Sequence, residues 1–456
     1  MCGINLSFSD LYPAKEMNKL IRHRGLPGME KSWDYQGFSM GHVRLPILGL
    51  SDKFDQPFET DGWVFAFNGE VFNYQSLMPG AQSDVELFEA FFSKYGGDPD
   101  SKSFWEQLQN FDGFWSLIAY SKKKHKVYVV TDFLAKKPLY MHKYSHHVSS
   151  ELKAFCGVPK TLNDRYFAAV NKWGYSPTDM TPWNEILKIP RGMVMTLDAE
   201  NGQILNNFRY YELNPRPNNN LRICVEDAIK NRLVSDVPIS LLLSGGVDSS
   251  IIYKVMEKHT HNFEIFHIAN NEAKFLDCLD IPGDIKVTSL DLKSNYDLDD
   301  ILYANDGPVD LGSMLPQYRM AEAIAETGYK VCITGDGADE VFGGYNRQYE
   351  YDAQHSDIFD ELVCYHLPRL DKMSMYFTTE LRSPFLAASV VECGLGMDYR
   401  LRVNKNGLKT AFADIIPKEI LDRKKHALKS KKVLSGVDWR YELVDRFIKN
   451  VMPKYT

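Results

Sequence analysis

The sequence has no long apolar run, no disulfide pattern and no secretory leader. No stretch approaches the roughly 18 consecutive apolar residues that a membrane-spanning helix needs. The start, Met-Cys-Gly-Ile-Asn, lacks the basic and apolar regions of a secretory signal. The seven cysteines are scattered and form no Cys-x-x-Cys pair, which argues against a disulfide framework and against a zinc site. These absences predict a cytoplasmic protein that does not interact with membranes.

An excess of basic residues is also missing. The formal net charge is -7 at pH 7, whereas nucleic-acid binders usually carry a basic excess, so no nucleic-acid partner is expected. The residues that are present, 44% hydrophobic and 25% charged, are typical of a globular protein. At 456 residues the chain is long for one core, and its length predicts about two to three domains.

The two halves of the chain carry different patterns. Residues 1 to about 205 contain short alternating or aromatic runs broken by turn residues, with helical pattern confined to segments such as 83–95, and this mixture predicts stacked β-sheets with few helices. Residues 213–220 are turn formers without apolar periodicity, which predicts a linker. We therefore divide the chain into domains 1–212 and 213–456.

Beyond the linker, short apolar strands alternate with helices. Strands are predicted at 239–243, 263–268 and 331–334, and helices at 221–233, from about 249, and at 315–326. This alternation predicts an α/β domain with a doubly wound parallel sheet. The last 90 or so residues look mainly helical.

The most specific motif is Ser-Gly-Gly-Val-Asp-Ser-Ser at 244–250, directly after a predicted strand. Gly245 and Gly246 allow a tight turn that brings backbone N–H groups close to a ligand. The helix that follows presents its positive end to an anion, and Asp248 can hold a magnesium ion that bridges phosphate oxygens. The motif is not the Walker pattern. It resembles the pyrophosphate loop of the ATP pyrophosphatase superfamily, whose members form an adenylate and release pyrophosphate.

A second glycine-rich and acidic cluster, Thr-Gly-Asp-Gly-Ala-Asp-Glu-Val-Phe-Gly-Gly-Tyr at 334–345, also follows an apolar strand. Ligands in open α/β sheets gather outside the carboxyl ends of the strands, so Asp339 is expected to approach Asp248. Two carboxylates there predict a seat for magnesium and ATP.

With both motifs in place, the second half resembles the synthetase domain of glutamine-hydrolysing asparagine synthetases. That family has Ser-Asp-Val-Pro before the loop, here at 235–238, and its second signature stands at 335–345. Arg-Leu-Asp-Lys-Met-Ser-Met at 369–375 and Glu-Leu-Arg-Ser-Pro-Phe-Leu at 380–386 match two further motifs.

The resemblance implies roles for individual residues. Asp248 and Asp339 would hold Mg²⁺, Asp336 would handle the proton from ammonia, and Lys405 would stabilise the adenylation transition state. Lys409 stands where the family has an arginine, which leaves open which of the two lysines serves the site. The residues implied in ATP binding are Leu242, Ser244, Gly245, Gly246, Val247, Asp248, Ser249, Ile265 and Gly335.

In the first half, chemistry points to Cys2. If Met1 is removed, Cys2 gains a free α-amino group that can act as the base for its own thiol. Asn68 and Gly69 offer two donors suited to an oxyanion. Arg44 can grip a carboxylate in bidentate fashion, and Asp84 can pair with an ammonium group.

These residues together resemble the class II glutamine amidotransferase domain of the N-terminal nucleophile (Ntn) hydrolases, which have a four-layer α+β fold. The family's order is kept by His-Arg-Gly at 23–25, His-x-Arg-Leu at 42–45, Gln-Pro at 56–57, Asn-Gly-Glu at 68–70 and Ser-Asp-x-Glu at 83–86. By this resemblance Cys2 is the nucleophile, Asn68 and Gly69 form the oxyanion hole, and glutamine is held by Arg44, Glu70 and Asp84.

One segment departs from the family pattern. Thr-Asp-Phe-Leu-Ala-Lys-Lys-Pro-Leu-Tyr at 131–140 replaces Arg-Asp-x-x-Gly-x-Lys-Pro-Leu-Tyr. Ala135 stands at the position of the glycine, and its presence predicts a reshaped turn where the two domains dock.

The combined interpretation is an enzyme with two reactions. Ammonia from glutamine is transferred, along a protected path that the family possesses, to the adenylated side-chain carboxylate of aspartate. The substrates are then glutamine, aspartate and ATP, and a homodimer is left open because relatives often dimerise.

Three alternatives remain at this point. The first is the same chemistry on a different carboxylate acceptor. The second is a cyclase of the β-lactam synthetase or lasso-peptide type, against which Cys2 with Asn68 and Gly69 argues. The third is a degenerate nucleotide-binding regulator, which the retention of Asp248 and Asp339 disfavours.

Overall fold

The computed structural model describes residues 2–94, 97–215, 220–268, 273–292, 295–345, 360–423 and 439–455. Met1, the end of the helix predicted at 83–95, and residues 216–219 of the predicted linker lie outside these ranges. In the part of the chain that is described, no helix is both long enough and apolar enough to cross a bilayer.

Two six-stranded antiparallel sheets form the N-terminal half. Their strands are β1 (Gly3–Ser7), β2 (Glu30–Tyr35), β3 (Phe38–Val43), β4 (Phe58–Glu59), β5 (Trp63–Val71), β6 (Gly113–Ser121), β7 (Lys126–Thr131), β8 (Tyr140–His142), β9 (Val148–Ser149), β10 (Ile186–Lys188), β11 (Met193–Asp198) and β12 (Ile204–Arg209). The strand order is β10-β8-β9-β1-β3-β2 in one sheet and β12-β11-β7-β6-β5-β4 in the other.

Alternating side chains bury both faces of these sheets. In β5, Val64 and Ala66 pack with Ile4 of β1 in a core between the two sheets, whereas Phe65 and Phe67 pack against the neighbouring helix layer. Helices cover the outer faces, which gives the predicted four-layer arrangement. The helices of this half are α1 (Ala14–Leu20), α2 (Tyr74–Leu77), α3 (Asp84–Lys94), α4 (Lys102–Glu106) and α5 (Asp164–Trp173).

A five-stranded parallel sheet organises the C-terminal half. Its strands are β13 (Ile239–Leu242), β14 (Phe263–Ile268), β15 (Val287–Leu290), β16 (Val331–Ile333) and β17 (Glu380–Arg382), in the order β15-β14-β13-β16-β17. The described helices are α6 (Leu221–Asn231), α7 (Val247–His259), α8 (Leu298–Ala304), α9 (Leu311–Glu326), α10 (Ala338–Val341), α11 (Leu367–Tyr376), α12 (Ala388–Leu395), α13 (Tyr399–Arg402), α14 (Asn406–Ala411), α15 (Lys418–Leu421) and α16 (Trp439–Arg446).

Helices pack on both faces of this sheet. Leu241 and Ile265 lie in one core cluster with α6 and α7, and Phe266 and Cys332 lie in another with α9 and α11. The doubly wound parallel sheet predicted from the sequence is therefore confirmed. Two of its strands, β15 and β17, were not predicted, because runs of four and three residues are too short to be recognised from their pattern.

A buried ion network joins the two halves. Arg24 and Lys137 contact Asp371 at 2.9 and 3.0 Å, and Lys153 contacts Asp306 at 3.0 Å. In each of these pairs the base comes from the N-terminal half and the acid from the C-terminal half, and no side chain in them is more than 4% exposed. Buried charges are tolerated only when they are paired, so the network fixes how the halves dock.

The turn at 131–140 lies at the same interface. Ala135 has a φ of 50°, the left-handed region that favours glycine. Ala135 thus takes a backbone conformation that glycine adopts more readily, and the sequence-based prediction of a reshaped turn stays a prediction. After the turn, Lys136 Nζ donates to the carbonyls of Gly113 and Leu386, at 3.1 and 2.9 Å, one from each half.

We expect Ala135→Gly to stabilise the protein by about 0.5–1 kcal/mol. The substitution relieves the left-handed strain of a residue with a Cβ, and the greater freedom of glycine in the unfolded chain offsets part of that gain. Chemical denaturation of the full chain measures the change. The matched control, Ala169→Gly inside α5, should lower stability, and a loss of stability in both variants would contradict the assignment of strain to Ala135.

Candidate active sites

The first site surrounds Cys2, just before β1. The backbone N–H of Cys2 donates to Asn68 Oδ1 at 3.0 Å, and Asn68 Nδ2 is buried without a hydrogen-bond partner among the described residues. Gly69 has a φ of 151°, and a Cβ there would stand 2.0 Å from the Phe114 carbonyl oxygen. The Asn68 side chain therefore has an N–H donor available beside Cys2. Residue 69 must be glycine, because no side chain fits there.

The structure places Asn68 and Gly69 inside β5, paired with Ser116 and Trp115 of β6. A strand in the middle of a sheet holds these groups more rigidly than a loop would. Burial raises the pKa of the Cys2 thiol, and the charge of Arg44 pulls it partly back.

Three buried carboxylates gather beside Cys2. Burial and the neighbouring acids Glu380 and Asp84 raise the pKa of Glu70 well above its usual range. Burial raises the pKa of Asp84 to about 6, against the hydrogen bond at 3.0 Å that it accepts from the Val71 N–H. Arg382 pairs with Glu380, but Glu70 Oε2 is buried without a hydrogen-bond partner among the described residues. Glu70 and Asp84 are therefore a suitable seat for an ammonium group.

Glu380 is the member that sequence reasoning missed. It lies on β17 in the C-terminal half and forms an ion pair with Arg382 at 2.6 Å. The sequence showed it only as part of the 380–386 motif, and no local pattern could place it next to Glu70. The predicted glutamine residues Glu70 and Asp84 do come together.

Arg44 is held by loop groups of its own half. Its guanidinium donates to the carbonyls of Gly49 and Ser51 and pairs with Asp55. The guanidinium is therefore fixed in place near Cys2, and a substrate carboxylate would add to partners that Arg44 already has.

The second site lies where the predicted strand-end motifs meet. Because β13 and β16 are neighbouring parallel strands, the loops after them lie side by side. Lys405 Nζ bridges the two acids of these loops, at 2.5 Å from Asp248 Oδ2 and 2.6 Å from Asp339 Oδ1. The predicted approach of Asp339 to Asp248 is thus present, with Lys405 between them.

The positive charge of Lys405 is stabilised by its two carboxylate partners. Burial alone would lower its pKa, but the two carboxylates outweigh burial and the pKa is raised. A Cβ at Gly344 would stand 1.8 Å from Asp339 Oδ1 and 2.6 Å from Lys405 Cε, so only glycine leaves room for the pair. Lys409 is farther out, and burial followed by the charge of Lys405 lowers its pKa.

The glycine-rich loop has the geometry expected of an anion site. Gly245 takes a φ of 67°, and α7 begins at Val247 directly after Gly246. Ser249 Oγ lies 3.1 Å from Ser244 Oγ across the loop. The loop and the amino end of α7 therefore face the same point.

Two predicted ATP-binding residues, Leu242 and Ile265, stand on neighbouring strands in this sheet. Leu242 is partly exposed at the end of β13, whereas the Ile265 side chain is completely buried. Only the backbone of Ile265 is placed to reach a ligand. A Cβ at Gly335 would stand 3.0 Å from Asp248 Cβ, so Gly335 lies against the acid of the loop.

Asp336 completes this site. It accepts a hydrogen bond from Thr334 Oγ1 at 2.6 Å. Burial raises its pKa, and the hydrogen bond and the positive charges of Arg369 and His366 partly reverse the rise. A carboxyl group with a raised pKa is suited to exchange a proton with a nitrogen nucleophile.

The residues present fit a magnesium ion. Asp248 and Asp339 converge on one cation, Lys405, and carboxylate oxygens are the ligands that Mg²⁺ prefers. Among the described residues no group of three or more potential ligands is close enough to hold a metal alone. Magnesium usually binds through one or two carboxylates together with substrate phosphates, which matches this pair.

A small cavity lies at the interface of the two halves, lined by Lys136 and Lys137 of one half and by residues of α11 and β17 of the other. Leu381 and Ser383 line it, and they follow Glu380 of the first site along β17. Ser383 Oγ lies 3.4 Å from Thr334 Oγ1, the donor to Asp336. The cavity is therefore lined by residues that adjoin Glu380 of the first site in sequence and Thr334 of the second site in space.

The fold and the two sites define a two-domain enzyme class in which an Ntn-type amidotransferase domain is joined to a domain with a pyrophosphate loop. Residues 1–211 match the glutamine amidotransferase domain family, and residues 220–363 and 348–441 match the asparagine synthase family. The chain belongs to the proteins that join these two domains.

Named relatives cover most of the chain. A putative glutamine-hydrolyzing asparagine synthetase 2 of Methanocaldococcus jannaschii is 29% identical and covers 76% of each chain. The glutamine-hydrolyzing asparagine synthetase B of Escherichia coli K12 is 25% identical over 90% of this chain and 78% of its own. A solved glutamine phosphoribosylpyrophosphate amidotransferase of Bacillus subtilis, 13% identical with a TM-score of 0.33 over 59% of this chain and 75% of its own, is too weak a likeness to support an argument.

Proposed function

We propose that the chain makes asparagine from aspartate, using ATP and the amide nitrogen of glutamine, and releases AMP, pyrophosphate and glutamate. The observation that carries the proposal is that one chain holds two unlike sites, Cys2 beside Asn68 in the half that matches the glutamine amidotransferase family and Lys405 between two acids in the half that matches the asparagine synthase family. Two unlike sites joined in this way suit a reaction in which one site makes ammonia and the other consumes it.

In the first reaction the Cys2 thiolate attacks the glutamine carboxamide. The free α-amino group that Cys2 gains when Met1 is removed takes the thiol proton. Asn68 Nδ2 and the Gly69 N–H stabilise the oxyanion. Ammonia leaves, and water hydrolyses the γ-glutamyl thioester to glutamate and regenerates Cys2.

Glutamine is held by charges of both signs. Glu70 and Asp84 bind its ammonium group, and Arg44 binds its carboxylate. Glu380 adds to the negative charge of the seat from the other domain.

In the second reaction the side-chain carboxylate of aspartate attacks the α-phosphorus of ATP. Residues 244–249 hold the pyrophosphate, which leaves, while Leu242, Ile265 and Gly335 border the nucleotide. Lys405 stabilises the charge that develops on the phosphate oxygens. Ammonia then displaces AMP, and Asp336 takes the proton that the nitrogen loses.

Magnesium is part of the proposal. Asp248 and Asp339 would hold the ion, which when bound neutralises charge on the ATP phosphates. We also propose residues 1–212 and 213–456 as the two domains, a cytoplasmic location, and the cavity as the route for ammonia. A homodimer stays a prediction.

One assay tests the proposal directly. The full chain is incubated with glutamine, ATP, magnesium and aspartate, and asparagine, AMP, pyrophosphate and glutamate are measured. We expect the four products in equal amounts. Glutamate formation with no asparagine would sink aspartate as the acceptor and favour another carboxylate.

The acids near Cys2 predict the pH dependence of glutamine use. Below about pH 6 Asp84 takes up a proton, since its pKa is raised to about 6. Protonation removes the negative charge that Asp84 offers to the ammonium group of glutamine. We therefore expect kcat/KM for glutamine to fall as the pH drops through this range. Asp84→Asn should lower kcat/KM at least about tenfold at pH 8 through the lost charge-assisted bond and flatten the decline.

A surface acid provides the control for this profile. Asp98→Asn removes a carboxylate that pairs with Lys124 far from the site, and the profile should not change. A wild-type kcat/KM that stays constant from pH 8 to pH 5 would refute the role of the carboxylate cluster.

A further inference from the structure

A second cavity lies between the two halves, and Asp306 of the ion network lines part of its wall. Both halves contribute to its wall, and its lining is rich in tyrosine and in cationic side chains. The polar residues that matter below are Lys188, Asp306, Tyr365, Arg369 and Lys372.

Two of its cations have no acidic partner. Lys188 Nζ donates to the Val363 carbonyl at 2.6 Å, and Arg369 donates to Tyr365 Oη at 3.1 Å and contacts His366 Nδ1 at 3.3 Å. Neither forms an ion pair with a described carboxylate. Arg369 is only 8% exposed, and its buried Nε has no hydrogen-bond partner among the described residues.

Asp306, the acid in the cavity wall, does not neutralise Lys188 and Arg369. Asp306 already pairs with Lys153 at 3.0 Å and with Lys372 at 3.5 Å. Asp179 acts on Lys188 through its charge but makes no ion pair with it among the described contacts, so the described lining carries more positive than negative charge. Burying such charges is unfavourable unless an anion compensates them, so the cavity is built for a negatively charged ligand.

This cavity adjoins the synthetase site through a short chain of contacts. Arg369 contacts His366, and His366 Nε2 lies 3.8 Å from Glu340 Oε1. Glu340 is next in sequence to Asp339, which pairs with Lys405. The charge of Arg369 also acts on Asp336. A ligand that reached from Asp336 into this cavity would therefore meet the positive charge of Arg369.

We infer that Arg369, supported by Lys188, binds the α-carboxylate of the acceptor aspartate in this cavity. The inference rests on the proposed function. Its chemistry is specific, because a guanidinium can grip one carboxylate in bidentate fashion while the other carboxylate of the acceptor reacts with ATP. The site selects acceptors that carry two carboxylates.

A comparison of two acceptors tests this selection. β-Alanine has the amine and the reacting carboxylate of aspartate but lacks the α-carboxylate. We measure acceptor-dependent pyrophosphate release by the full chain with ammonium as nitrogen donor. The wild type should use aspartate far better than β-alanine.

Arg369→Gln should lower kcat/KM for aspartate by on the order of 30- to 100-fold, the effect of losing a charge-assisted hydrogen-bond pair. Its kcat/KM for β-alanine should stay near the wild-type value, so the selectivity collapses. Lys188→Met should also lower kcat/KM for aspartate and leave kcat/KM for β-alanine unchanged, with a smaller effect than Arg369→Gln. Arg222→Gln, which removes a surface guanidinium paired with Glu226 and Asp414, is the matched control and should change neither acceptor.

Folding of each variant is checked by its glutaminase rate, which should equal that of the wild type. If Arg369→Gln is not folded, Arg369→Lys takes its place. Lysine keeps the positive charge but cannot bind one carboxylate through two parallel hydrogen bonds, so the preference for aspartate over β-alanine should fall about tenfold. An equal fall for both acceptors, or an unchanged KM for aspartate, would overturn the inference and leave Arg369 as a residue that positions Asp336. A wild type that makes no asparagine from aspartate would instead mark the failure of the proposed function.

Discussion

Cys2→Ala is expected to abolish asparagine synthesis from glutamine and to leave synthesis from ammonium at the wild-type rate. The variant loses the thiol that lies beside Asn68 and attacks the carboxamide, so the glutaminase rate should fall by on the order of 10⁴ or more. Ammonium supplied directly bypasses this step. Asparagine formation is followed with each nitrogen donor in turn.

Cys278→Ala is the matched control, because Cys278 is a free cysteine of the other half. It should behave like the wild type with both donors. Loss of both activities in Cys2→Ala would contradict a two-site enzyme. Retention of glutamine-dependent synthesis would show that another nucleophile acts on glutamine.

The second large effect is expected at Lys405. Lys405→Met should lower aspartate-dependent pyrophosphate release by on the order of 10³-fold, because it removes a charge preorganised against the reacting phosphate. The change also leaves Asp248 and Asp339 without their common partner, and breaking a buried ion pair lowers stability by about 3–5 kcal/mol. The glutaminase activity of Lys405→Met is therefore measured in parallel, and it should persist if the variant remains folded.

Lys409→Met resolves which lysine serves the adenylation site. Lys409 lies farther out and makes no ion pair with either acid among the described contacts, so its loss should cost less than about tenfold in kcat/KM. A larger loss in Lys409→Met than in Lys405→Met would reverse the assignment. Lys405→Arg keeps the positive charge but changes the shape of the side chain. Comparing it with Lys405→Met therefore shows how much of the loss comes from the missing charge.

The layered architecture follows from patterns that are local in sequence. Alternation in β5 and the strand–helix alternation after residue 220 express how each element buries one side against its neighbours. The loop at 244–250 was found for the same reason, because a phosphate loop requires adjacent residues. Asp248 and Asp339 were expected to meet because they end neighbouring parallel strands, which needs only the topology.

Contacts between distant elements carry no such local signal. Glu380 reaches the Cys2 site from a strand of three residues, and Arg369 faces a cavity that both halves must build. At Ala135 the sequence showed a departure from a motif, but the left-handed backbone of this residue could not be read from the sequence. Packing and docking decide these features.

The buried ion network has a consequence for exchanging domains between relatives. A chimera that takes residues 1–212 from another member would bring its own charges to face Asp306 and Asp371. Any mismatch would trap an unpaired charge in the interface, and such charges are strongly destabilising. Productive recombination should therefore require the basic set, Arg24, Lys137 and Lys153, to be inherited together with its acidic partners, so that the two halves are exchanged as a matched pair.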